Sequence, residues 1–183
     1  MRKVLILANN ASDLYNMRFE LINEIIRQNY ILYFVVPQSI EDKKVQLIID
    51  VGAKYIQTPM NRRGTNPFED TKLLFKYYRI IKEVNPDVIL TFSIKPNIYG
   101  TYAASIINKP VIMNITGMGS SMTNNTSLKK LIKQMYKWAC KKAQVIFFQN
   151  EHNRDFFTKN NMVNMQKTIL IPGSGVNISK FTP

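Results

Sequence analysis

Three segments of this chain carry polar or basic residues of the kind that hold phosphate groups and sugar hydroxyls. They supply the candidate substrate-binding residues Asn9, Asn10, Asn16, Arg18, Lys95, Asn97, Thr116, Gly117, Gly119 and Ser120. Basic side chains make charge-assisted hydrogen bonds to phosphate, and glycine-rich turns can present backbone N–H groups to anions. No Ser-His-Asp arrangement is indicated, so the catalytic residues stay unassigned.

The first segment, residues 9–18, follows an apolar run and leads into a predicted helix. Asn16 is a good N-cap, so we predict a helix from Asn16 to Gln28 with Arg18 in its first turn. A cation there opposes the helix dipole, but a bound anion would reverse the effect, because Arg18 and the free N–H groups would then act together. The alternative is that Arg18 points to solvent or pairs with Asp13 or a nearby glutamate.

The second segment follows the apolar run Val88–Phe92. A short polar turn carries Lys95, and Pro96 opens the next helix, so Lys95 and Asn97 are predicted at the carboxyl end of a strand. Gly100 would allow that helix to pack closely on the sheet. The alternative is that Lys95 is simply a turn residue.

The third segment is the glycine- and serine-rich loop that follows Asn114-Ile115. Backbone N–H groups of Thr116, Gly117, Gly119 and Ser120 are placed to face a phosphate or a sugar hydroxyl. Glycine-rich turns also occur for steric reasons alone, so both interpretations stay open.

Short apolar runs alternate with longer helical patterns, which indicates a parallel sheet with crossover helices. The predicted strands are Val4–Ala8, Ile31–Val36, Lys54–Gln57, Val88–Phe92, Val111–Ile115, Val145–Phe148 and Thr168–Ile171. The other predicted helices are Asp42–Val51, one from Asn66-Pro67 to about Val84, Asn97–Asn108, Ser127–Lys142 and Glu151–Asn160. We therefore predict a doubly wound α/β domain of about seven strands, with ligands beyond the strand carboxyl ends. The loops at residues 9–18, 93–97 and 116–121 are expected to converge on one cleft there.

The charge is strongly basic: 25 Lys and Arg residues face 12 Asp and Glu residues, for a net charge of +13 among 183 residues. Such an excess favours an anionic partner, whether nucleic acid, an anionic membrane or a phosphorylated substrate. The alternative is a basic surface that is solvated and has no partner.

Several other classes are disfavoured. The loop after the first strand has no glycine, so neither a dinucleotide fingerprint nor a P-loop is present, and no cofactor is expected. One His and one Cys give no zinc spacing, so no metal is expected. The single Cys140 cannot form an intrachain disulfide. No apolar run reaches the length needed to cross a bilayer.

The helix Ser127–Lys142 combines an apolar stripe with six lysines. The stripe is predicted to consist of Leu128, Leu131, Ile132, Met135 and Ala139. We predict that Lys129, Lys130, Lys133 and Lys137 face an anionic membrane. The alternative is an ordinary packed helix with a solvated lysine face.

Taken together, several segments resemble one group of glycosyltransferases: retaining family 4 enzymes of the GT-B fold that extend glycans on a polyprenyl-diphosphate carrier. The segments that carry the resemblance are Asn16-Met17-Arg18, Asn66-Pro67, Thr91–Gly100, Asn114–Ser120, Phe147–Asn150 and Ile171–Asn177. Many family 4 enzymes place a His where this chain has Thr116. The role of that His is therefore not transferred, and Thr116 is assigned only to the cleft.

The resemblance implies a Rossmann-like, acceptor-side amino-terminal domain at residues 1–171 and a hinge segment at residues 172–183. In that family a carboxyl-terminal domain holds most of the nucleotide-sugar donor, so this chain alone is expected to transfer no sugar. The acceptor would be a polyprenyl-diphosphate-linked or other glycan. The chain would lie in the cytoplasm, peripherally on the anionic inner face of the membrane.

Two rival functions remain. A basic α/β domain that binds nucleic acid without catalysis fits the charge, but no RNA-binding signature of alternating aromatics and glycines appears, so no nucleic acid is expected. A self-contained flavodoxin-like enzyme fits the fold class. The missing phosphate-binding loop after the first strand counts against it.

Overall fold

A computed structural model of the chain describes residues 1–62, 64, 66–117 and 127–175. Its centre is one sheet of seven strands in the order β3-β2-β1-β4-β5-β6-β7. All neighbouring strands are parallel. The strands are β1 (Lys3–Leu7), β2 (Ile31–Val36), β3 (Lys54–Gln57), β4 (Val88–Phe92), β5 (Val111–Ile115), β6 (Val145–Phe148) and β7 (Thr168–Leu170). The predicted doubly wound parallel sheet is confirmed.

Within the described residues, six α-helices connect the strands and cover both faces of the sheet. They are α1 (Ala11–Arg27), α2 (Lys43–Asp50), α3 (Pro67–Val84), α4 (Thr101–Ile106), α5 (Ser127–Lys142) and α6 (Glu151–Lys159). Side chains of β1 show how the faces divide, because successive residues of a strand point to opposite sides. Val4 and Ile6 pack with α1 and α2, whereas Leu5 and Leu7 pack with α3 and α4. Helices α5 and α6 pack on the same face as α3 and α4, further along the sheet.

Helix α3 begins where the sequence predicts. The side chain of Asn66 accepts a hydrogen bond from the backbone N–H of Phe68 at 3.0 Å, and Pro67 is the first helical residue. A proline fits there because its missing N–H would have no partner inside the helix. The helix ends at Asn85, whose left-handed backbone (φ 49°) is one that asparagine tolerates better than most residues.

Helix α1 begins earlier than predicted, which is a correction. Asn10 is its N-cap and accepts from the N–H of Ser12 at 2.8 Å, whereas Asn16 is an exposed residue inside the helix. The cause is the buried stripe Ala11, Leu14, Arg18 and Ile22, whose spacing of three to four residues extends the helix toward the strand. Arg18 therefore lies in the third turn of α1 and not in the first.

The segment between β4 and β5 starts with a turn of π-helix, Pro96–Gly100, before α4. The predicted close packing at Gly100 is confirmed, because its surroundings leave no space for a side chain. A Cβ atom added there would lie 2.6 Å from Cδ1 of Leu7 and 3.4 Å from Cγ2 of Thr91. Both neighbours belong to fully buried strand residues, so the sheet and this turn leave no room for a side chain.

No helix within the described residues is long and apolar enough to span a bilayer. Helix α5 instead buries one face against the sheet, and Cys140 lies on that face with none of its surface exposed. Burial raises the pKa of the Cys140 thiol to about 12, because a thiolate is poorly solvated in that environment.

We predict that Gly100→Ala destabilises the protein by about 1–3 kcal/mol, because the new methyl group must displace Leu7 from a packed core. Gly117→Ala is the matched control, since among the described residues no heavy atom beyond its chain neighbours lies within 4 Å of an added Cβ there. Urea unfolding followed by circular dichroism gives both free energies. Equal stabilities of the two variants would contradict the packing described.

We predict that Cys140 resists alkylation by iodoacetamide in the folded protein at mildly alkaline pH and reacts promptly in denaturant. Because its folded pKa is raised, the folded state loses stability as the pH rises above the unfolded thiol pKa of about 8.5. Mass spectrometry of the alkylated protein checks the first point. Alkylation at the rate of a free thiol in the absence of denaturant would contradict it.

Candidate functional site

A cleft of about 370 Å³ opens at the carboxyl ends of the central strands. Its walls come from the residues that follow β1, β4, β5 and β6 and from one side of α1. The lining residues are Ala8, Asn9, Asn10, Asp13, Leu14, Met17, Arg18, Phe92, Ser93, Thr116 and Gln149. The strand order reverses between β1 and β4, and a sheet of this kind binds ligands at such a switch point.

Arg18 is the main charged group of the cleft. Only 9% of its surface is exposed, and its guanidinium carbon lies 5.1 Å from the centre of the Phe92 ring. The Nη1 atom donates to the backbone oxygen of Met17 at 2.7 Å and to the hydroxyl of Ser174. Burial lowers the pKa of Arg18, since the charged form is partly desolvated.

Arg18 forms no ion pair with a carboxylate in the part of the chain that the structure describes. Asp13 lines the same cleft, but it pairs with Arg62 at 3.2 Å, so the predicted alternative that Arg18 meets Asp13 is wrong. A desolvated cation without a counter-charge is costly. An anion entering the cleft would relieve that cost.

Two backbone N–H groups at the amino terminus of α1 are already occupied inside the fold. The N–H of Ala11 donates to the side chain of Gln38 at 2.9 Å, and the N–H of Ser12 donates to Asn10. The Asn10 side chain is therefore occupied as a cap, while the half-buried Asn9 lines the cleft. Asn16 does not line it.

Gln149 and Ser174 belong to the cleft region and were not among the predicted site residues. Nε2 of Gln149 donates to Oγ of Ser174 at 2.9 Å, and the same hydroxyl accepts from Arg18. This chain of contacts joins the end of β6 to the segment after β7. Gln149 could have been predicted, because it directly follows a predicted strand, and ligands are expected beyond strand ends. Nothing in the sequence near Ser174 indicates a contact with Arg18.

Ser93 holds an unusual backbone conformation at the mouth of the cleft. Its φ of 73° is left-handed, which is uncommon for a residue other than glycine, asparagine or aspartate. Its backbone oxygen accepts from the N–H of Asn97 at 2.9 Å, and its hydroxyl donates to the backbone oxygen of Phe92. These bonds hold the turn after β4 against the cleft.

Lys95 lies in a different hollow from Arg18. Its Nζ atom is 2.5 Å from Oδ1 of Asp70, and both side chains are largely buried. Tyr99 donates its hydroxyl to the other oxygen of Asp70 at 2.8 Å. Burial and this hydrogen bond raise the pKa of Tyr99. The positive charge of Lys95 is thus already balanced inside the fold.

The second hollow has about the same volume, 370 Å³, and lies between the first turns of α3 and the turn after β4. Its lining residues are Pro59, Met60, Asn61, Glu69, Asp70, Lys72, Leu73, Lys76 and Lys95. Because Arg18 and Lys95 line separate hollows, the expectation that their loops converge on one cleft does not hold for Lys95. The physical reason is Asp70, which draws the lysine toward α3.

Asn97 is buried and acts as a connector. Its Nδ2 atom donates to the backbone oxygen of Asn114 at 3.0 Å, which ties the π-turn to the end of β5. Burial raises the pKa of Tyr136, and a side-chain hydrogen bond with Asn97 offsets part of that rise. Asn97 therefore positions the strand ends and does not itself line the cleft.

The third predicted segment is described only in part. Thr116 lines the cleft and is exposed, as is Gly117. Gly119 and Ser120 lie outside the described residues, so the proposed backbone contacts of that loop stay a prediction. Residues 176–183 of the predicted hinge are likewise outside them.

The lysines of α5 differ in what they contact. Lys130 and Lys137 are exposed, whereas Lys129 and Lys133 are partly buried. Nζ of Lys133 donates to Oδ1 of Asn160 at 2.9 Å and lies 4.8 Å from the centre of the Phe156 ring. Lys133 is therefore engaged with α6.

The predicted apolar stripe of α5 is partly wrong. The buried face consists of Tyr136, Ala139 and Cys140, whereas Leu131 is 57% exposed. Tyr136 was missed because a phenol is amphipathic, but here its ring packs edge-on against Phe157, with ring centres 5.2 Å apart. The side chain of Leu128 lies outside the described residues.

A longer apolar groove of about 790 Å³ runs from the cleft along the face that carries α1. Its floor includes Leu90, Phe92 and Phe147, and one wall is formed by α1. Arg18 stands where the groove meets the cleft, because it lines both. Within the described ranges, no group of three or more His, Cys, Asp or Glu residues could hold a metal ion.

Solved structures show the same fold. MurG from Acinetobacter baumannii matches 99% of this chain with a TM-score of 0.64 at 14% identity, and a glycosyltransferase from Rickettsia africae matches 99% with a TM-score of 0.70 at 16% identity. The chain covers 48% and 45% of those two proteins. The fold is thus the Rossmann-like domain of GT-B enzymes.

Two curated relatives are more similar in sequence. One is the N,N'-diacetylbacillosaminyl-diphospho-undecaprenol alpha-1,3-N-acetylgalactosaminyltransferase of Campylobacter jejuni, 28% identical over 97% of this chain and 47% of the relative. The other is the UDP-Gal:alpha-D-GlcNAc-diphosphoundecaprenol alpha-1,3-galactosyltransferase of Escherichia coli, 26% identical over 74% of this chain and 35% of the relative. The chain thus spans half or less of the length of these relatives.

The family model for glycosyl transferase 4-like proteins matches residues 3–150, which contain β1 to β6 and every residue that lines the cleft. Since that match spans most of the chain, the chain belongs to the glycosyl transferase 4-like family.

Proposed function

We propose that this chain is the acceptor-binding half of a glycosyltransferase that moves a sugar from a nucleotide-sugar donor to a polyprenyl-diphosphate-linked glycan. The observation that carries the proposal is Arg18, a desolvated guanidinium with no ion-pair partner in the described residues, at the strand carboxyl ends. The relatives named above act on undecaprenol-diphosphate-linked sugars, which supports an acceptor of that chemistry.

In this proposal the cleft binds the diphosphate of the acceptor through Arg18. A guanidinium presents several N–H donors in a planar fork, which suits two phosphate oxygens at once. Asn9, Thr116 and Gln149 supply neutral polar groups around it for the sugar hydroxyls. Because the chain spans half or less of its relatives' length, transfer itself is proposed for a protein that also carries the remaining half.

We further propose that the reaction takes place at an anionic membrane surface, on the cytoplasmic side. A polyprenyl carrier is confined to the bilayer, so the cleft must come close to it. Exposed lysines on α5, of which Lys130 and Lys137 are the clearest, provide positive charge on one side of the domain. Each lysine near an anionic surface contributes about 1 kcal/mol.

The experiment is a titration of the folded chain with two probes that share one sugar and one short isoprenoid. In the first probe a diphosphate joins them, and in the second a simple glycosidic bond does. We expect Arg18→Gln to weaken binding of the diphosphate probe by about 10- to 100-fold, the usual worth of a hydrogen bond to a charged group. Binding of the uncharged probe should change little.

Arg62→Gln is the matched control, because Arg62 is exposed and pairs with Asp13 at the rim of the same cleft. It should leave the affinity for the diphosphate probe within about threefold, since exposed ion pairs contribute little. Thermal melting separates loss of binding from loss of fold. Equal affinities of Arg18→Gln and the unchanged chain would overturn the assignment of Arg18, and preferential binding of RNA would favour the nucleic-acid alternative.

A further inference from the structure

Helix α3 carries a second basic surface that neither the cleft nor the core uses. Its outer side presents residues at alternating spacings of four and three, which places them in one stripe along the helix. This α3 stripe consists of Phe68, Lys72, Phe75, Arg79 and Lys82, and all five residues are exposed. Phe68 is 80% exposed and Phe75 is 62% exposed.

The core does not need the two phenylalanines. The opposite side of α3 already supplies the buried residues Leu73, Tyr77, Ile81 and Val84, which pack on the sheet. Two phenylalanines on one exposed stripe therefore have no role in packing of the described fold. Large apolar side chains grouped on a surface and surrounded by polar groups usually mark an interaction site.

The charges around the phenylalanines indicate the kind of partner. Three cations, Lys72, Arg79 and Lys82, lie within the stripe, and none of them forms an ion pair with another described residue. Glu69 and Glu83 lie to one side of the stripe, and Asp70 is neutralised by Lys95. A helix surface that combines aromatic rings with cations is suited to the headgroup region of an anionic bilayer.

The position of the stripe agrees with that partner. The first turn of α3 lies at the carboxyl edge of the sheet, because Asp70 reaches Lys95 in the turn after β4. Phe68 therefore lies toward the end of the domain where the cleft opens. Helix α4 packs between α3 and α5, so the α3 stripe and the lysines of α5 belong to the same layer.

We infer that the α3 stripe is a membrane-docking surface, in which Phe68 and Phe75 enter the headgroup region of an anionic leaflet and the three cations bind lipid phosphates. Such docking would bring the cleft to a lipid-linked acceptor, and in that respect it rests on the proposed function. The occupant is a lipid surface and not a protein groove, because the stripe is convex and its cations alternate with the rings.

The experiment is co-sedimentation of the chain with vesicles of phosphatidylcholine and phosphatidylglycerol, and with vesicles of phosphatidylcholine alone. These vesicles contain no polyprenyl diphosphate, so docking is measured independently of acceptor binding. We expect binding only to the anionic vesicles, weakened by added salt because screening acts over about 8–10 Å. Phe68→Ser with Phe75→Ser should reduce the partition coefficient by about tenfold or more.

The matched control is Ile40→Ser with Leu47→Ser, which removes two exposed apolar residues from another part of the surface. It should leave the partition coefficient unchanged. Lys130→Gln with Lys137→Gln removes charge from α5 without touching an aromatic ring, and it should weaken binding less than the double phenylalanine change. Circular dichroism confirms that each variant is folded.

Insertion of the α3 stripe into the bilayer can be measured separately, by fluorescence. Phe75→Trp in a Trp138→Phe background places the single tryptophan of the chain on the stripe, and brominated lipid should quench its fluorescence. Unchanged vesicle binding of the Phe68→Ser, Phe75→Ser variant would overturn the docking surface, as would a folded chain that binds no anionic vesicle. Self-association of the chain that the same variant abolishes would instead make the stripe a protein interface.

Discussion

The reversal of strand order between β1 and β4 is the constraint on which the site depends. Chain connections leave β1 and β4 in opposite directions along the sheet, so their carboxyl ends have no crossover packed between them. That gap is where Arg18 reaches over the ring of Phe92. The aromatic ring shields the guanidinium from water and also stabilises its charge, so the same contact that desolvates the cation offsets part of the cost.

The two faces of the sheet carry different features. On one face α3 to α6 follow one another along the strands, and their outer surface carries the lysines and the exposed phenylalanines. On the other face α1 forms one wall of a long apolar groove that meets the cleft at Arg18. The central strands β1, β2 and β4 are largely apolar on both sides, as is usual for buried parallel strands, and this made them easy to recognise. The periodicity of the helices then decided which side chains reached the surface.

Much of the fold could be predicted from the sequence, but the candidate site could be predicted only in part. Apolar runs located all seven strands, and Asn66-Pro67 located a helix start, because both are local signals. The start of α1 was misplaced since Asn10 and Asn16 are equally good caps, and only burial of Ala11 and Leu14 decides between them. The ion pair of Lys95 could not be predicted from the sequence, because its partner Asp70 lies in α3, far from Lys95 along the chain. Contacts of that kind are set by packing and leave no trace in local spacing.

The basic residues that give the net charge of +13 fall into two physically different groups, exposed side chains and the buried Arg18. Exposed lysines and arginines keep most of their hydration, so salt screens them, and in the proposed function they would act mainly by drawing the domain toward an anionic surface. Arg18 has already lost most of its hydration in folding, so an anion that reaches it meets a poorly screened charge. In the proposed function, attraction to a surface and recognition of a diphosphate would therefore be carried by different residues. A change in either group should leave the other function measurable.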